Sequence, residues 1–216
     1  LAAAGWLPVS RKNFSFDFKV KRFAQGLGFS PDERHQAWLG SFLPAELGRI
    51  LRPEVAEAAL AESPYATIAR VLEGTDARDG LDRASLQYAR TYLAGDVLVK
   101  VDRASMACGL EVRAPLLDRR VVELAAALPS HWKLRGHTTK YLLKEAARPW
   151  LPPGIVDRPK KGFGVPVADW IRGPLRPLAK DLLAEDRLAR EGFFVPGEVT
   201  RLLTVLLDGR ADHREP

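Results

Sequence analysis

Apolar residues along this chain recur mainly at helical spacing, and prolines, glycines and small polar residues separate the periodic segments. Ser30-Pro31-Asp32-Glu33 is the clearest helix start, because a serine cap, an early proline and a glutamate three residues after the cap form a capping box. Similar signals predict further helices that begin near Pro44, Pro53, Pro64, Asp79 or Asp82, Asp96, Asp118, Thr138 or Thr139, Pro166, Leu175 and Pro196. Strand patterns are sparse, so we predict a mostly α-helical chain.

Two boundaries in the middle of the chain are predicted from single residues. Gly95 is expected to end the helix that reaches Leu93, and Asp96 is expected to cap the next helix. That next helix places Cys108 near the end of its apolar face, which favours a small core residue there, and Gly109 closes it.

The segment before Ser30 supports two interpretations. Alternate apolar residues from Phe14 to Val20 suit a strand, whereas the spacing of Phe16, Val20, Phe23 and Leu27 suits one helical face. A serine stands before this segment as a possible cap, and a glycine follows as a possible stop. We therefore choose the helix.

Length and composition are those of an ordinary globular protein. A chain of 216 residues is long enough to bury roughly 70 % of its unfolded surface. The net charge of +6 is compatible with a nucleic-acid binder, but the basic residues are spread along the chain and matched by 27 acidic ones. We therefore expect no nucleic-acid partner.

Cysteine, histidine and hydropathy exclude several other classes. The single cysteine cannot form an internal disulfide and suggests a reducing compartment, so we expect a cytoplasmic protein. The four histidines lack the spacing of a metal site. No apolar run approaches the roughly 18 residues that a membrane span needs, so we expect no membrane partner.

The segment DRPKKGFGVP is the strongest candidate for anion binding. Arg158, Lys160 and Lys161 supply positive charge, while Gly162 and Gly164 allow close backbone approach. The alternative is a solvated basic turn. No GxxxxGK[ST] motif occurs in the chain, which excludes a P-loop within it.

The segment GLEVRAPLLD is the second candidate. Glu111 is a possible proton acceptor or ammonium ligand on an extended stretch, and Arg113 lies two residues further along. The alternative is a local ion pair between these two residues, with Asp118 acting only as a helix cap. If Glu111 and the basic loop meet in the fold, a carboxylate faces cations that can hold phosphate, which suits phosphoryl or acyl-adenylate chemistry.

Two further positions are weaker candidates. Asp102 lies off the apolar face of its helix between Lys100 and Arg103, so a surface salt bridge competes with a role in ligand binding. Lys140 opens a predicted helix, where the helix dipole disfavours a cation. A bound anion or carboxylate would explain a lysine at this unfavourable position, and solvation of its charge explains it nearly as well.

Four segments taken together carry a family resemblance: KNFSFDFKVKRF, LVKVDRASMACGLEVRAPLLDRRVVELAAALP, KYLLKEA and RPKKGFGVP. In this order they resemble the C-terminal part of the synthetase domain of glutamine-hydrolysing asparagine synthetases, from about Pro8 to Asp212. The resemblance implies that residues 1–216 are the helical C-terminal portion of an adenine-nucleotide α-hydrolase-like (PP-loop) α/β synthetase domain, with little or no sheet in this fragment.

The resemblance also implies an activity. In this family a glutaminase domain with a cysteine nucleophile precedes an ATP-pyrophosphatase synthetase domain. The synthetase domain adenylates the side chain of aspartate with ATP and Mg²⁺, and ammonia from glutamine then gives asparagine, AMP and pyrophosphate. ATP and Mg²⁺ are expected to bind mainly to the N-terminal part, which this chain lacks, and a homodimer is expected to form through the full-length chain.

Residue roles follow from the same resemblance. Glu111 is expected to influence adenylate formation, and Lys160 to contact the phosphates and stabilise the transition state. The other candidates for substrate or phosphate binding are Arg158, Lys161, Gly162, Gly164, Arg113, Asp102 and Lys140.

The sequence also departs from the family pattern. The SGGxDS pyrophosphate loop and the Cys-Gly start of the glutaminase domain are absent. We therefore expect residues 1–216 alone to lack synthetase activity, and Cys108 is not a candidate glutaminase nucleophile. Two alternatives stay open: a related amidotransferase or β-lactam-type synthetase acting on another carboxylate, and a non-catalytic helical interaction module.

Overall fold

The computed structural model describes residues 16–77, 79–159 and 165–209, and most of them lie in helices. The helices are α1 (Phe16–Gly26), α2 (Pro31–Leu39), α3 (Pro44–Ile50), α4 (Pro53–Leu60), α5 (Ala66–Leu72), α6 (Gly80–Tyr88), α7 (Leu98–Met106), α8 (Arg119–Ala127), α9 (Ser130–Lys133), α10 (Tyr141–Ala147), α11 (Pro153–Val156), α12 (Val167–Arg172), α13 (Arg176–Leu182), α14 (Glu185–Glu191) and α15 (Pro196–Asp208). A π-helical segment (Ala89–Val97) joins α6 to α7, and a 3-10 turn (Pro115–Leu117) precedes α8.

The sheet within the described ranges is a two-stranded antiparallel hairpin of β1 (Leu134–Arg135) and β2 (Thr138–Thr139). Leu134 pairs with Thr139, and Arg135 with Thr138. The prediction of a mostly helical fragment with little sheet is therefore confirmed.

The chain divides into two compact units, and the boundary falls inside α5. The first unit takes the described residues up to Ala69 together with those from 165 onward, and the second takes those from Arg70 to 159.

Backbone hydrogen bonds join the two ends of the first unit. The Arg52 N–H donates to the carbonyl of Phe193 (3.0 Å), and the Val195 N–H donates to the carbonyl of Ile50 (2.7 Å). Around these bonds α15 packs on α3, α12 and α14. The resulting core consists of Ala37, Ile50, Ala56, Ile68, Ala168, Leu188 and Leu206.

The two predictions at the start of this unit are confirmed. The segment after position 15 is helical (α1), and Ser30 caps α2: its Oγ accepts from the Glu33 N–H (3.3 Å), while the Ser30 N–H donates to Glu33 Oε2 (3.3 Å). At Gly26, where α1 ends, a Cβ would overlap the indole of Trp38, so a larger residue would force that side chain to shift.

The predicted boundary at Gly95 and Asp96 is wrong. The helix continues from α6 through the π-helical segment into α7, and Gly95 is not among the glycines with positive φ. In the π-helical segment the backbone hydrogen bonds span five residues instead of four, and the helix continues without a break. Within this segment the Thr91 hydroxyl donates to the Gln87 carbonyl (2.7 Å). Asp96 does not cap a helix but forms an ion pair with Lys100 one turn later (2.9 Å).

The predicted helix start at Thr138 or Thr139 is also wrong. Both threonines lie in β2, and their β-branched side chains suit a strand. Gly136 has a φ of 57°, as the tight hairpin requires. The helix α10 begins two residues later than the second threonine, at Tyr141.

Sequence reasoning missed α14. Ala184 precedes this helix and offers no side-chain cap. Other signals were present, since Glu185 and Asp186 lie in the first turn, Arg190 lies in the last turn, and Gly192 follows with a φ of 78°.

The second unit leaves many apolar side chains in contact with solvent. No residue of α7 or α8 is buried; for example, Val101 is 44 % and Leu124 is 62 % exposed. Cys108 is exposed as well, so the expectation that it is a core residue is wrong. The apolar face on which it was placed has no covering element among the described residues.

Polar contacts hold α9 against the start of α6. Asp79 Oδ1 accepts from the Asp82 N–H (2.9 Å) as the α6 cap, and its Oδ2 accepts from the Ser130 hydroxyl. Lys133 Nζ donates to Asp82 Oδ1 (2.5 Å) and to the carbonyl of Ala126 (3.1 Å). The Ser130 hydroxyl, followed by the Asp82 N–H, lowers the pKa of Asp79.

Replacing Ser130 by alanine is expected to raise the pKa of Asp79 towards its ordinary value of about 3.9, since it removes the largest cause of the lowered pKa. The pKa of Asp79 is lower in the folded than in the unfolded state, so the ionised carboxylate stabilises the fold. This stabilisation is fully present at pH values above the pKa of the unfolded state, and it is lost as the pH falls through the pKa of the folded state. Ser130→Ala should therefore lower the free energy of unfolding more at about pH 7 than at about pH 2.5, as measured by urea titration.

Ser85→Ala is the control, because the Ser85 hydroxyl donates to a backbone carbonyl that does not titrate. An equal loss at both pH values for Ser130→Ala would contradict the prediction.

Candidate functional site

The GLEVRAPLLD segment joins α7 to α8 and presents Glu111. Gly109 (φ 66°) ends the α7 region, and the Leu110 N–H donates back to the Ser105 carbonyl (3.0 Å). The chain then runs without regular structure to the 3-10 turn at Pro115. The helix stop predicted at Gly109 and the helix cap predicted at Asp118 are confirmed.

Glu111 and Arg113 form an ion pair. Arg113 Nη2 lies 2.5 Å from Glu111 Oε1, and the two side chains are 84 % and 70 % exposed, respectively. The local pair considered as an alternative is thus present. An exposed pair contributes little to stability, and both groups remain accessible to a ligand.

Asp118 is a helix cap, as predicted. Its Oδ1 accepts from the Arg120 N–H (3.0 Å) at the start of α8, and both carboxylate oxygens accept from the Arg120 guanidinium. The guanidinium hydrogen bonds, followed by the backbone one, lower the pKa of Asp118. These contacts give Asp118 a structural role.

Asp102 lies on an exposed part of α7. Lys100 forms its ion pair with Asp96 rather than with Asp102, because residues two positions apart on a helix do not face each other. The hydrogen bond from Lys100 to Asp96 raises the pKa of Lys100. The backbone carbonyl of Asp102 accepts from the Ser105 hydroxyl (3.0 Å).

Lys140 lies at the junction between the hairpin and α10. Its backbone is left-handed (φ 56°, ψ 37°), an uncommon conformation for a residue with a Cβ. Next to it, Arg135 lies over the ring of Tyr141 (4.9 Å) and donates to its hydroxyl (2.5 Å), while Trp132 packs at 6.1 Å from the same ring. These contacts fix the hairpin against the start of α10.

The basic loop is described only up to its first residues. Arg158 is exposed, and it follows Asp157, the residue directly after α11. The other four candidates in this loop, Lys160, Lys161, Gly162 and Gly164, lie outside the described residues. The hypothesis that Glu111 and Lys160 share one cleft therefore stays a prediction.

Sequence reasoning missed a pair at the base of this loop. Arg148 Nη1 donates to Asp157 Oδ2 (2.8 Å), and Nη2 donates to Oδ1 (3.0 Å). Arg148 Nε also donates to Glu145 Oε1 (2.9 Å). No local motif signals this pair, because it depends on how the chain turns between α10 and α11.

Neither a membrane span nor a metal-binding cluster occurs in the part of the chain that the structure describes. No helix there is both long and apolar enough to cross a bilayer. No group of three or more histidine, cysteine, aspartate or glutamate side chains there is placed to bind a metal ion.

Comparison with known proteins gives one family. The asparagine synthase family profile matches residues 9–216. Asparagine synthetase 1 of Bacillus subtilis is 34 % identical over 115 residues, which make up 52 % of this chain and 18 % of that protein. A putative asparagine synthetase of Mycobacterium tuberculosis is 46 % identical over 82 residues, or 38 % of this chain and 13 % of that protein.

A third relative carries a different name. The amidase chyE of Penicillium rubens is 30 % identical over 98 residues, which are 43 % of this chain and 15 % of that protein. The chain thus matches less than a fifth of the length of these three relatives. No solved structure matches it significantly.

The family profile covers the GLEVRAPLLD segment, the KYLLKEA segment of α10 and the basic loop in one match. The resemblance inferred from these segments is therefore confirmed, and the chain belongs to the asparagine synthase family.

Proposed function

We propose that this chain supplies the C-terminal portion of an ATP-dependent amide ligase that converts aspartate to asparagine. The family match over residues 9–216 carries the proposal, because it contains both the exposed Glu111 and the loop that begins at Arg158. The nitrogen is proposed to come from glutamine as ammonia.

The reaction takes place in two steps. An oxygen of the aspartate side-chain carboxylate attacks the α-phosphorus of ATP, the bond to the β-phosphate breaks, and pyrophosphate leaves. Ammonia then attacks the acyl carbon, a C–N bond forms, AMP leaves with the C–O bond electrons, and the nitrogen loses a proton to a base. Negative charge grows on pyrophosphate in the first step, and a proton must be accepted in the second.

Besides the influence on adenylate formation that the family resemblance implies, Glu111 has the chemistry that the second step requires. Its carboxylate is exposed and is held by Arg113 in a solvated pair, so an incoming ammonium or ammonia can exchange with the guanidinium. A carboxylate in that position accepts the proton or orients the nitrogen. Arg113 is then free to meet the anionic substrate.

Lys160 has the chemistry that the first step requires. A lysine is a compact, strongly hydrated charge on a flexible stem, and it can follow the charge that develops on pyrophosphate. Arg158 and Lys161 lie next to it in sequence, and Gly162 and Gly164 permit close backbone approach. We assign phosphate binding to this loop.

The remaining candidates are assigned more weakly. Asp102 on α7 and Lys140 at the start of α10 are exposed charges available to substrate. Mg²⁺ is proposed to bind mainly outside this chain, because the SGGxDS segment of the family pattern is absent from it. We therefore assign no step in this chain to the metal.

A second candidate is amide formation on a different carboxylate. The relative named an amidase supports it, since that protein matches 43 % of this chain at 30 % identity. Carboxylate-dependent exchange of pyrophosphate into ATP, measured over a panel of amino acids and other carboxylic acids, separates the two candidates. Exchange that depends on aspartate alone supports asparagine synthesis.

Replacing Lys160 by alanine in the native polypeptide that carries this sequence is expected to lower aspartate-dependent ATP–pyrophosphate exchange by about 100- to 1000-fold. The reason is the loss of a charge that stabilises the departing pyrophosphate. Lys160→Arg should retain part of the activity, because it keeps the charge but not the shape. Lys180→Ala, an exposed lysine on α13, is the control. An unchanged exchange rate for Lys160→Ala would favour the non-catalytic helical module instead.

Replacing Glu111 by glutamine is expected to lower asparagine formation by about 100-fold, the lower end of the range for a general base. The substitution keeps the size of an exposed side chain, so thermal unfolding should not change. Glu123→Gln is a matched control, because Glu123 is also exposed and forms an ion pair with an arginine, Arg119 (2.7 Å). Normal asparagine formation by Glu111→Gln would remove Glu111 from the mechanism.

Residues 1–216 expressed alone are expected to produce neither asparagine nor AMP, because the SGGxDS segment is absent from them. Product formation is measured with aspartate, ATP, Mg²⁺ and ammonium, so that a separate glutaminase is not needed. Detection of either product above the level of a Lys160→Ala sample would contradict the expectation.

A further inference from the structure

The helix that runs from α6 to α7 passes through a π-helical segment of nine residues, Ala89–Val97. The Leu98 N–H donates to the carbonyl of Leu93, five residues earlier, so this bond spans Gly95 and Asp96. π-helical structure is rare, and it occurs mostly as single turns within α-helices, often at functional sites. A π-helical segment of nine residues is therefore unusually long.

Little packing holds this segment in its π-helical form. None of its residues is buried, so hydrophobic burial contributes little to its stability. Two residues before it, Gln87 is only 1 % exposed, and its Nε2 has no hydrogen-bond partner among the described residues. A buried donor without a partner destabilises the state that contains it. Segments with few buried contacts are the ones that open locally in folded proteins.

Gly95 and Asp96 are unfavourable residues for the interior of a continuous helix, since glycine and aspartate both rank low in helix propensity. The φ of Gly95 is not positive, and a Cβ added there would clash with none of the described residues. The observed helix therefore does not require a glycine at this position. Asp96 pairs with Lys100, but the two side chains are 43 % and 66 % exposed, and such a pair contributes little to stability.

Both residues suit a second conformation of the segment. Glycine is the preferred residue where a helix ends in a left-handed turn, and aspartate is a preferred cap at the start of the next helix. In such an open form the bond from Leu98 to Leu93 is broken. Asp96 then leaves Lys100 and accepts from the first N–H groups of α7. Sequence signals that contradict the observed structure are expected at functional or strained sites.

A change in the direction of α7 also moves Glu111. The Gly109 N–H donates to the Met106 carbonyl (2.9 Å), and the Leu110 N–H donates to the Ser105 carbonyl (3.0 Å). These bonds hold Leu110 to the end of α7, and Glu111 is the next residue. The Glu111 segment therefore follows α7 when that helix turns.

We propose that Ala89–Val97 is a conformational switch: it opens at Gly95, Asp96 caps α7, and Glu111 moves to the position in which it acts on substrate. The continuous helix is the resting form, and the open form is the active one. The effect on catalysis rests on the function proposed for Glu111, whereas the opening itself does not.

Substitutions of Gly95 in the native polypeptide test the opening by hydrogen–deuterium exchange. Gly95→Ala is expected to slow exchange of the Leu98 amide by about 10- to 100-fold, because alanine favours the continuous helix and disfavours the left-handed turn. Asparagine formation should fall by a similar factor, since the active form becomes less populated. Gly95→Asn should have a smaller effect on both, although its side chain is larger, because asparagine tolerates the left-handed conformation. Gly197→Ala is the control, since Gly197 lies in α15 with equally open surroundings.

Substitutions of Asp96 test the cap against the ion pair. Asp96→Asn keeps a preferred cap but loses the ion pair with Lys100, whereas Asp96→Glu keeps a partner for Lys100 but is a poorer cap. The switch therefore predicts that Asp96→Asn retains both Leu98 exchange and asparagine formation, and that Asp96→Glu lowers both by about fivefold. A static helix stabilised by the ion pair predicts the reverse order.

The outcomes are distinct. Unchanged Leu98 exchange in Gly95→Ala, an equal effect of Gly95→Asn, or a lowered thermal unfolding temperature of Gly95→Ala would overturn the switch. Slower exchange with normal asparagine formation would overturn its link to Glu111. If Glu111→Gln forms asparagine normally, the function proposed for Glu111 fails, and the Leu98 exchange still decides whether the segment opens.

Discussion

The distribution of buried apolar surface determines how this chain is held together. In the first unit, backbone hydrogen bonds between the Ile50–Arg52 and Phe193–Val195 segments bring distant parts of the sequence into one core. Leu188 in that core is only 2 % exposed. In the second unit α7 and α8 bury no residue, so hydrophobic burial contributes little along these helices. Their surroundings are organised instead by capping, ion pairs and short-range hydrogen bonds.

The sequence predicted those features that depend on neighbours along the chain. The capping box at Ser30 and the cap at Asp118 were found because a cap and its partner lie within three residues of each other. The boundary predicted at Gly95 was wrong, because a glycine ends a helix only where the backbone after it leaves the helical path. Here the hydrogen bonding widened into a π-helical segment, and Asp96 paired with Lys100 instead of capping.

The helix start predicted at Thr138 or Thr139 and the core position predicted for Cys108 are wrong for different reasons. Thr138 and Thr139 resemble a helix start when they are seen alone, but their pairing partners, Arg135 and Leu134, lie across a glycine turn. Cys108 lies on an apolar face, and an apolar face shows only which side of a helix avoids water. It does not show which element covers that side, and none of the described residues covers this one.

The candidate site shows the same division between local and distant information. The Glu111–Arg113 pair was considered from the sequence, since only two positions separate the partners. The Arg148–Asp157 pair was not, because the turn between α10 and α11 brings them together. Both pairs are solvated and add little to stability. Their effect is on direction: one presents a carboxylate that a ligand can reach, and the other restrains the residue from which the basic loop departs. An exposed ion pair next to a reactive segment is therefore better judged by the geometry that it imposes than by the folding energy that it supplies.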